Sequence, residues 1–171
     1  FKNMTAMVSI IMGSTSDWGV MQKAAQLLNE FKIPFEVNAL SAHRTPEEVE
    51  KHVKTAPERG IRIFIAGAGM AAHLPGVIAA FTSLPVIGVP VKSSFDGMDS
   101  LLAIVQMPPG IPVATVAVDG ALNAGILAVQ MLALADENLA SEMKKYKENL
   151  KKKIVAANEE LAAHHFEYRV K

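Results

Sequence analysis

The segment Ser41-Ala42-His43-Arg44-Thr45-Pro46 sets an imidazole beside a guanidinium. An unperturbed imidazole titrates at about 6.5, so His43 can take up or release a proton near neutral pH. Arg44 offers a planar fork of donors that fits a phosphate. It stands just before a helix start, where an anion is also welcome. A loop histidine beside a surface arginine would read the same way. A second segment, Gly13-Ser14-Thr15-Ser16-Asp17, combines a residue with no side chain, hydroxyl donors and a carboxylate. Gly13 lets the backbone turn and approach a ligand. The hydroxyls of Ser14 and Ser16 can donate to a phosphate, and Asp17 can accept from ribose hydroxyls. The alternative at these positions is that Ser16 caps the following helix and Asp17 complements its dipole.

Four further features are less decisive. Gly67-Ala68-Gly69-Met70-Ala71-Ala72 matches the dinucleotide fingerprint G-x-G-x-x-A. However, it follows the third expected strand, and Lys92 stands near the end of the next strand where a ribose-binding acid is needed. A small-residue loop that lets a compact ligand lie against the backbone is the better reading. His73, before Leu74-Pro75, is either a site residue or a helix-entry histidine. His52 is expected inside a helix and solvated. His164 and His165 lack the carboxylate-plus-histidine spacing of a native metal site.

The elements that must position these groups follow from hydrophobic pattern. Val8–Met12 is a continuous apolar run, the signature of a strand buried on both faces. Helical spacing follows over 17–31, and 34–40 reads as the second strand. Thr45 as N-cap, Pro46 at the first helical position and Glu48 completing a capping box predict a helix over 46–56. Strands are expected at 61–66, 85–91 and 112–118. A Gly/Ala loop is expected over 67–72, with helices at 75–81, 100–105, 120–135 and 137–163. The helix at 120–135 should be buried on most sides. The last helix carries an apolar stripe, with its charged stretch 144–153 solvated. Phe1 to Met4 are left out of the fold argument.

Strand and helix alternate, so the chain is expected to be α/β. The architecture is a three-layer, flavodoxin-like parallel sheet with helices on both faces and a long C-terminal helix. One catalytic domain over 1–171 is expected, with its core at about 8–134. Ligands of such sheets bind outside the carboxyl ends of the strands. Ser14, Ser16 and Asp17 follow the first strand, and Ser41, His43 and Arg44 the second. Gly67, Gly69 and His73 follow the third, and Lys92, Ser93 and Ser94 the fourth. Polar and glycine residues from distant parts of the sequence thus collect on one edge.

Composition narrows the function. Half of the 171 residues are apolar and 20% are charged, a globular balance. With 17 basic and 17 acidic residues there is no electrostatic footprint of a nucleic-acid binder. The absence of cysteine rules out disulfides, thiol catalysis and iron–sulfur ligation. No secretory pattern opens the chain and no apolar run is long enough for a bilayer, so a cytoplasmic protein without a membrane partner is expected.

Taken together, these motifs identify a family. Gly13-Ser14-Thr15-Ser16-Asp17-Trp18, Ser41-Ala42-His43-Arg44-Thr45-Pro46, Ala66-Gly67-Ala68-Gly69, Ala71-Ala72-His73-Leu74-Pro75-Gly76, Asp99-Ser100-Leu101, Ile104-Val105-Gln106-Met107-Pro108 and Gly110-Ile111-Pro112-Val113 closely resemble the PurE family, the N5-carboxyaminoimidazole ribonucleotide mutases of purine synthesis. The resemblance covers about residues 8–134. It implies conversion of N5-carboxyaminoimidazole ribonucleotide to 4-carboxyaminoimidazole ribonucleotide without metal, cofactor or ATP.

The resemblance also implies roles. His43 donates a proton as the carbamate loses carbon dioxide, then removes the ring C4 proton after recapture. Ser14 and Arg44 contact the phosphate, with Ser41 and Ser16 nearby, and Asp17 accepts from the ribose hydroxyls. Ala68, Gly69, His73 and Leu74 surround the base and carboxylate, and Gln106-Met107-Pro108 helps build a neighbouring subunit's site in a homo-octamer. Met70 departs from the glycine many members carry. A second class takes aminoimidazole ribonucleotide and free carbon dioxide, and resembles Ser-Ala-His-Lys with an Ala-Gly-Arg-Ser-Asn loop. Arg44 and Gly67-Ala68-Gly69 point to the mutase class instead. The alternatives are that carboxylase and a non-enzymatic flavodoxin-like ligand sensor.

Overall fold

The computed structural model describes residues 4–170, so Phe1 to Asn3 of the excluded opening segment lie outside it. The chain forms two compact units, Phe1–Met131 and Leu132–Lys171. In order along the chain come β1 (Val8–Met12), α1 (Trp18–Glu30), β2 (Phe35–Ala39), α2 (Pro46–Lys54), β3 (Ile63–Gly69), α3 (Leu74–Phe81), β4 (Val86–Val91), α4 (Met98–Val105), β5 (Ala114–Thr115), α5 (Ala121–Ala133) and α6 (Glu137–Ala162). The sheet is parallel throughout, in the order β2-β1-β3-β4-β5. This is the α/β flavodoxin-like arrangement expected from the alternating pattern.

Central strands are apolar because both faces are covered. All five residues of β1 are buried, with Ile10 between Val37 of β2 and Ile65 of β3. Ile11, Phe64 and Ala66 face one way into a cluster with Val49 and Val53 of α2, Ile78 of α3 and Ile104 of α4. On the opposite face α1 lies close over β3. A Cβ built on Gly67 would stand 2.3 Å from the Met21 sulfur, so the missing side chain is what admits the helix. A Cβ built on Gly125 of α5 would likewise crowd α1, standing 2.9 Å from the Leu27 side chain and 3.3 Å from the Ala24 backbone. Helices thus cover the sheet on both sides.

Several local expectations need correction. β3 begins at Ile63 and runs on to Gly69, because Gly67, Ala68 and Gly69 pair with Val89, Pro90 and Val91 of β4. Ladder pairing outweighs the weak strand preference of small residues, which leaves only 70–73 as loop. β5 shrinks to two residues. It is an edge strand with one neighbour, and the chain beyond keeps only separate bonds to β4, Val116 N–H to Gly88 O and Asp119 N–H to Pro90 O.

The capping box at Thr45 does not form. The Thr45 hydroxyl instead donates to Ser41 O at 3.1 Å and its oxygen accepts from Ser41 N–H at 2.9 Å, closing the loop in front of α2. α5 is buried on most sides as expected, with Ala121, Ala124, Ala128 and Val129 buried and only Leu122 and Asn123 exposed. α6 opens on Asp136, whose carboxylate accepts from Asn138 N–H and Leu139 N–H. Of its apolar stripe Met143 is buried while Leu150, Ile154 and Leu161 are exposed. No described helix is long and apolar enough to cross a membrane.

Candidate active site

β1 and β3 are neighbours, and their connections leave in opposite directions, to β2 on one side and β4 on the other. Their carboxyl ends therefore open a crevice. A cleft of about 730 Å³ occupies it, within the range of small-ligand sites. It is lined by Ser14, Ser16 and Asp17 after β1, and by Ser41, His43 and Arg44 after β2. Ala68, Gly69, His73 and Leu74 line it from β3 and the start of α3. These are the residues given catalytic or ligand roles from the sequence; Gly67 and Ser94, also expected at the strand ends, are not part of the lining. Gly13, Ala42, Met70, Ala71, Val91, Lys92 and Ser93 complete the lining.

The loop after β1 is wound into one 3-10 turn, Thr15–Asp17, ahead of α1. Ser14, not Ser16, caps it, the Ser14 hydroxyl oxygen accepting from Ser16 N–H at 3.3 Å. A Cβ on Gly13 would meet only an Asp17 carboxylate oxygen, at 3.9 Å. Nothing in the chain forbids a side chain there, so the bare backbone matters toward the cleft. Asp17 is half-buried, and burial pushes its carboxyl up. A hydrogen bond from the Ser14 backbone and the charge of Arg44 oppose that rise.

Arg44 is held rather than loose. Its Nη2 donates to Gly13 O at 3.1 Å and its Nε to Ser41 Oγ at 3.3 Å, while its backbone N–H also reaches Ser41 Oγ, at 3.2 Å. The guanidinium thus bridges the loops after β1 and β2. A guanidinium has five donors, so capacity remains for an anion in the cleft. The serines, the arginine and the bare backbone at Gly13 make this end of the cleft suited to a phosphate.

The other end holds two exposed imidazoles. His43 Nε2 lies 2.8 Å from His73 Nδ1, with ring centroids 4.9 Å apart and planes at 80°. One nitrogen must donate and the other accept, so a single proton lies between them. His73 is brought there by a tight bend, in which Met70 has φ 55°. Ala72 N–H then bonds Met70 O, and His73 N–H bonds Ala71 O, both at 2.8 Å. Gly69 is also confined, since a Cβ would stand 3.1 Å from Val91 O.

Lys92 and Ser93 went unassigned in the sequence, although their place just past the fourth strand was the available signal. The Lys92 ammonium pairs with Asp96 at 3.0 Å, a contact that holds its proton more tightly than usual. Lys92 N–H donates to the Asp119 carboxylate at 2.9 Å, fixing the end of β4. Ala71 was read only as loop, and Met70 as a departure from the family's glycine within that loop. His52, expected in solvent, instead lies half-buried, 3.0 Å from Glu36 and away from the cleft lining.

Known proteins resemble this chain along most of its length. The family model for AIR carboxylase matches residues 7–153. The N5-carboxyaminoimidazole ribonucleotide mutase of Pyrococcus abyssi (strain GE5 / Orsay) is 56% identical over 146 residues, covering 85% of this chain and 84% of its own. The protein of the same name from Bacillus subtilis (strain 168) is 53% identical over 161 residues, covering 92% of this chain and 99% of its own. The crystal structure of Treponema denticola PurE superposes with a TM-score of 0.82 at 34% identity, covering 91% of this chain and 98% of that one.

Proposed function

The chain belongs to the AIR carboxylase family, and from that premise we propose how its cleft works. The protein is an enzyme of purine biosynthesis, a mutase that converts N5-carboxyaminoimidazole ribonucleotide to 4-carboxyaminoimidazole ribonucleotide. Its substrate is a phosphorylated sugar bearing an aminoimidazole ring whose carboxylate moves from the exocyclic nitrogen to ring carbon C4.

The substrate lies along the strand ends with its phosphate on Ser14, Ser16, Ser41 and Arg44. Asp17 accepts from the ribose hydroxyls. Ala68, Gly69, His73 and Leu74 surround the ring and its carboxylate. His43 starts as the imidazolium. As the carbamate C–N bond breaks, its electron pair stays on nitrogen and His43 supplies the proton. The released carbon dioxide is attacked by C4, and the now neutral His43 removes the C4 proton. One proton leaves the imidazole and one returns, so a single group serves as acid and then base. His73 holds the His43 tip in the free enzyme and gives it up to the ring when substrate binds.

The observation that carries this mechanism is the shared cleft. His43 lines the same space as Arg44, Ser14 and Asp17, which arrive from two different strands. Arg44, where the carboxylase class resembles lysine, favours the mutase chemistry over use of free carbon dioxide. The test supplies purified enzyme with N5-carboxyaminoimidazole ribonucleotide at low bicarbonate and follows 4-carboxyaminoimidazole ribonucleotide. Formation at full rate is expected. A strict requirement for added bicarbonate would refute the mutase reading. The same family resemblance supports a homo-octamer in the cytoplasm, which light scattering tests by returning the mass of eight chains.

A further inference from the structure

We propose that Lys92 binds the substrate's carboxylate, and that this contact separates carboxylated ribonucleotides from aminoimidazole ribonucleotide. The inference rests on the mutase reading above and adds a second anion contact to the same cleft. Lys92 is the first residue past β4 and lines the cleft with Ser93. The residue before it, Val91, pairs with Gly69 of β3, which the mutase reading sets against the ring. A Cβ built on Gly69 would stand 3.4 Å from the Cβ of Ser93. The chain after β4 therefore abuts the ring end of the cleft.

Charge complementarity carries the assignment. Histidines apart, Arg44 and Lys92 are the only cations among the described residues that line the cleft, and Asp17 is the only acid. They follow β2 and β4, with β1 and β3 between them. The substrate also carries two anions, a phosphate at one end and a carboxylate at the other. With the phosphate on Arg44, the carboxylate falls toward β4, where Lys92 is the available countercharge. The Lys92 ammonium pairs with Asp96 at 3.0 Å, but the Asp96 side chain is 91% exposed. Such a surface pair contributes little, so an anion arriving in the cleft replaces it at small cost. The Lys92 backbone is held separately. Its N–H donates to the Asp119 carboxylate at 2.9 Å, and Asp119 N–H donates to Pro90 O at 2.8 Å. The base of the side chain is thus anchored while its charged end turns from Asp96 to the ligand. Lys92 moves no proton; it is a binding residue.

The test compares, by calorimetry at low salt, the binding of 4-carboxyaminoimidazole ribonucleotide and aminoimidazole ribonucleotide, which differ only in the carboxylate. K92Q should fold with an unchanged melting temperature, because Asp119 holds the backbone at that position. It should weaken binding of the carboxylated ligand by roughly 5- to 20-fold, a charge-assisted contact less the surface pair given up for it. Its affinity for aminoimidazole ribonucleotide should match that of the wild type. D96N removes the competing carboxylate, and asparagine tolerates the left-handed backbone at φ 54°. It should tighten binding of the carboxylated ligand by about two- to fivefold. The assignment of Lys92 is overturned, and the mutase reading stands, if K92Q weakens both ligands equally or neither, or if D96N gains nothing. If the wild-type protein binds neither ribonucleotide, the mutase reading fails and the Lys92 proposal with it.

Discussion

Histidines occur in two polar clusters of the first unit, and the fold treats them in opposite ways. At the carboxyl edge of the sheet, His43 and His73 are exposed, touch each other at 2.8 Å and line an open cleft. Beneath α2, His52 is enclosed. Its Nε2 lies 3.0 Å from Glu36 and 3.1 Å from the hydroxyl of Ser9, which is fully buried in β1. Arg59 completes this cluster with bonds to Glu36 and to the His52 carbonyl, at 3.0 and 3.1 Å. Both places offer hydrogen-bonded imidazoles. Only the first leaves room for a ligand to displace a partner, and a titratable group can serve a reaction only where that is possible. The second cluster ties β1, β2, α2 and the turn after α2 together, and its substitution should cost stability rather than turnover.

The largest expected effect separates the two clusters outright. His43→Asn should lower turnover by about 10²- to 10⁴-fold, the usual reach of a general acid–base group, while the melting temperature and ribonucleotide binding persist. His52→Asn should do the reverse, keeping turnover and lowering the melting temperature. Steady-state rates and thermal melts on both variants measure the contrast, and equal loss of rate would erase it.

Arg44→Ala comes next. Losing a charge-assisted contact of about 1.5–3 kcal/mol should weaken binding of the phosphorylated ligand by roughly 10- to 100-fold. Calorimetry with the ligand and its dephosphorylated analogue sharpens the assignment, because the analogue should bind both proteins alike. Equal weakening for the analogue would remove Arg44 from the phosphate.

In the enclosed cluster, Glu36→Gln should cost about 1–3 kcal/mol by denaturant titration, since Arg59 would lose its carboxylate. The pH dependence follows from two shifts of the same sign. Burial pushes the Glu36 carboxyl up, but hydrogen bonds from Arg59 and Ser9 and the charges of Arg59 and His52 outweigh it and hold the group below its usual 4.5. Burial and the Arg59 charge also hold His52 below its usual 6.5, partly offset by Glu36. In each case the unfolded chain binds the proton first, so stability falls as the medium is acidified. The His52 contribution begins to fade as pH drops below about 6.5, and the Glu36 contribution below about 4.5. Melts across that range should slope more gently in Glu36→Gln and His52→Asn. An unchanged slope in both would mean the cluster does not govern acid stability.

The same contrast explains what could be read in the sequence. Ser41 to Pro46 and Gly13 to Asp17 are contiguous, and the alternation of strand and helix sends both to one edge, so the lining of the cleft was visible without coordinates. The enclosed cluster was not. It depends on the register that sets Ser9 beside Glu36, and on α2 laying His52 over them, neither of which is local. A serine inside the apolar run Val8–Met12 was the one hint. The extension of β3 to Gly69 was hidden for a similar reason, since pairing with β4 and not propensity makes those glycines a strand. Thr45 looked like a cap because a sequence pattern cannot tell that its hydroxyl is engaged by Ser41. The left-handed backbone of Met70 also runs against type, since that conformation favours glycine.

A crystal structure of the enzyme with 4-carboxyaminoimidazole ribonucleotide bound tests the central claim most directly. The account predicts the phosphate on Arg44 and Ser14, ring carbon C4 facing His43 Nε2, and the contact between His43 and His73 broken. A ligand bound with its phosphate away from Arg44, or with His43 still paired to His73 and turned from the ring, would contradict it.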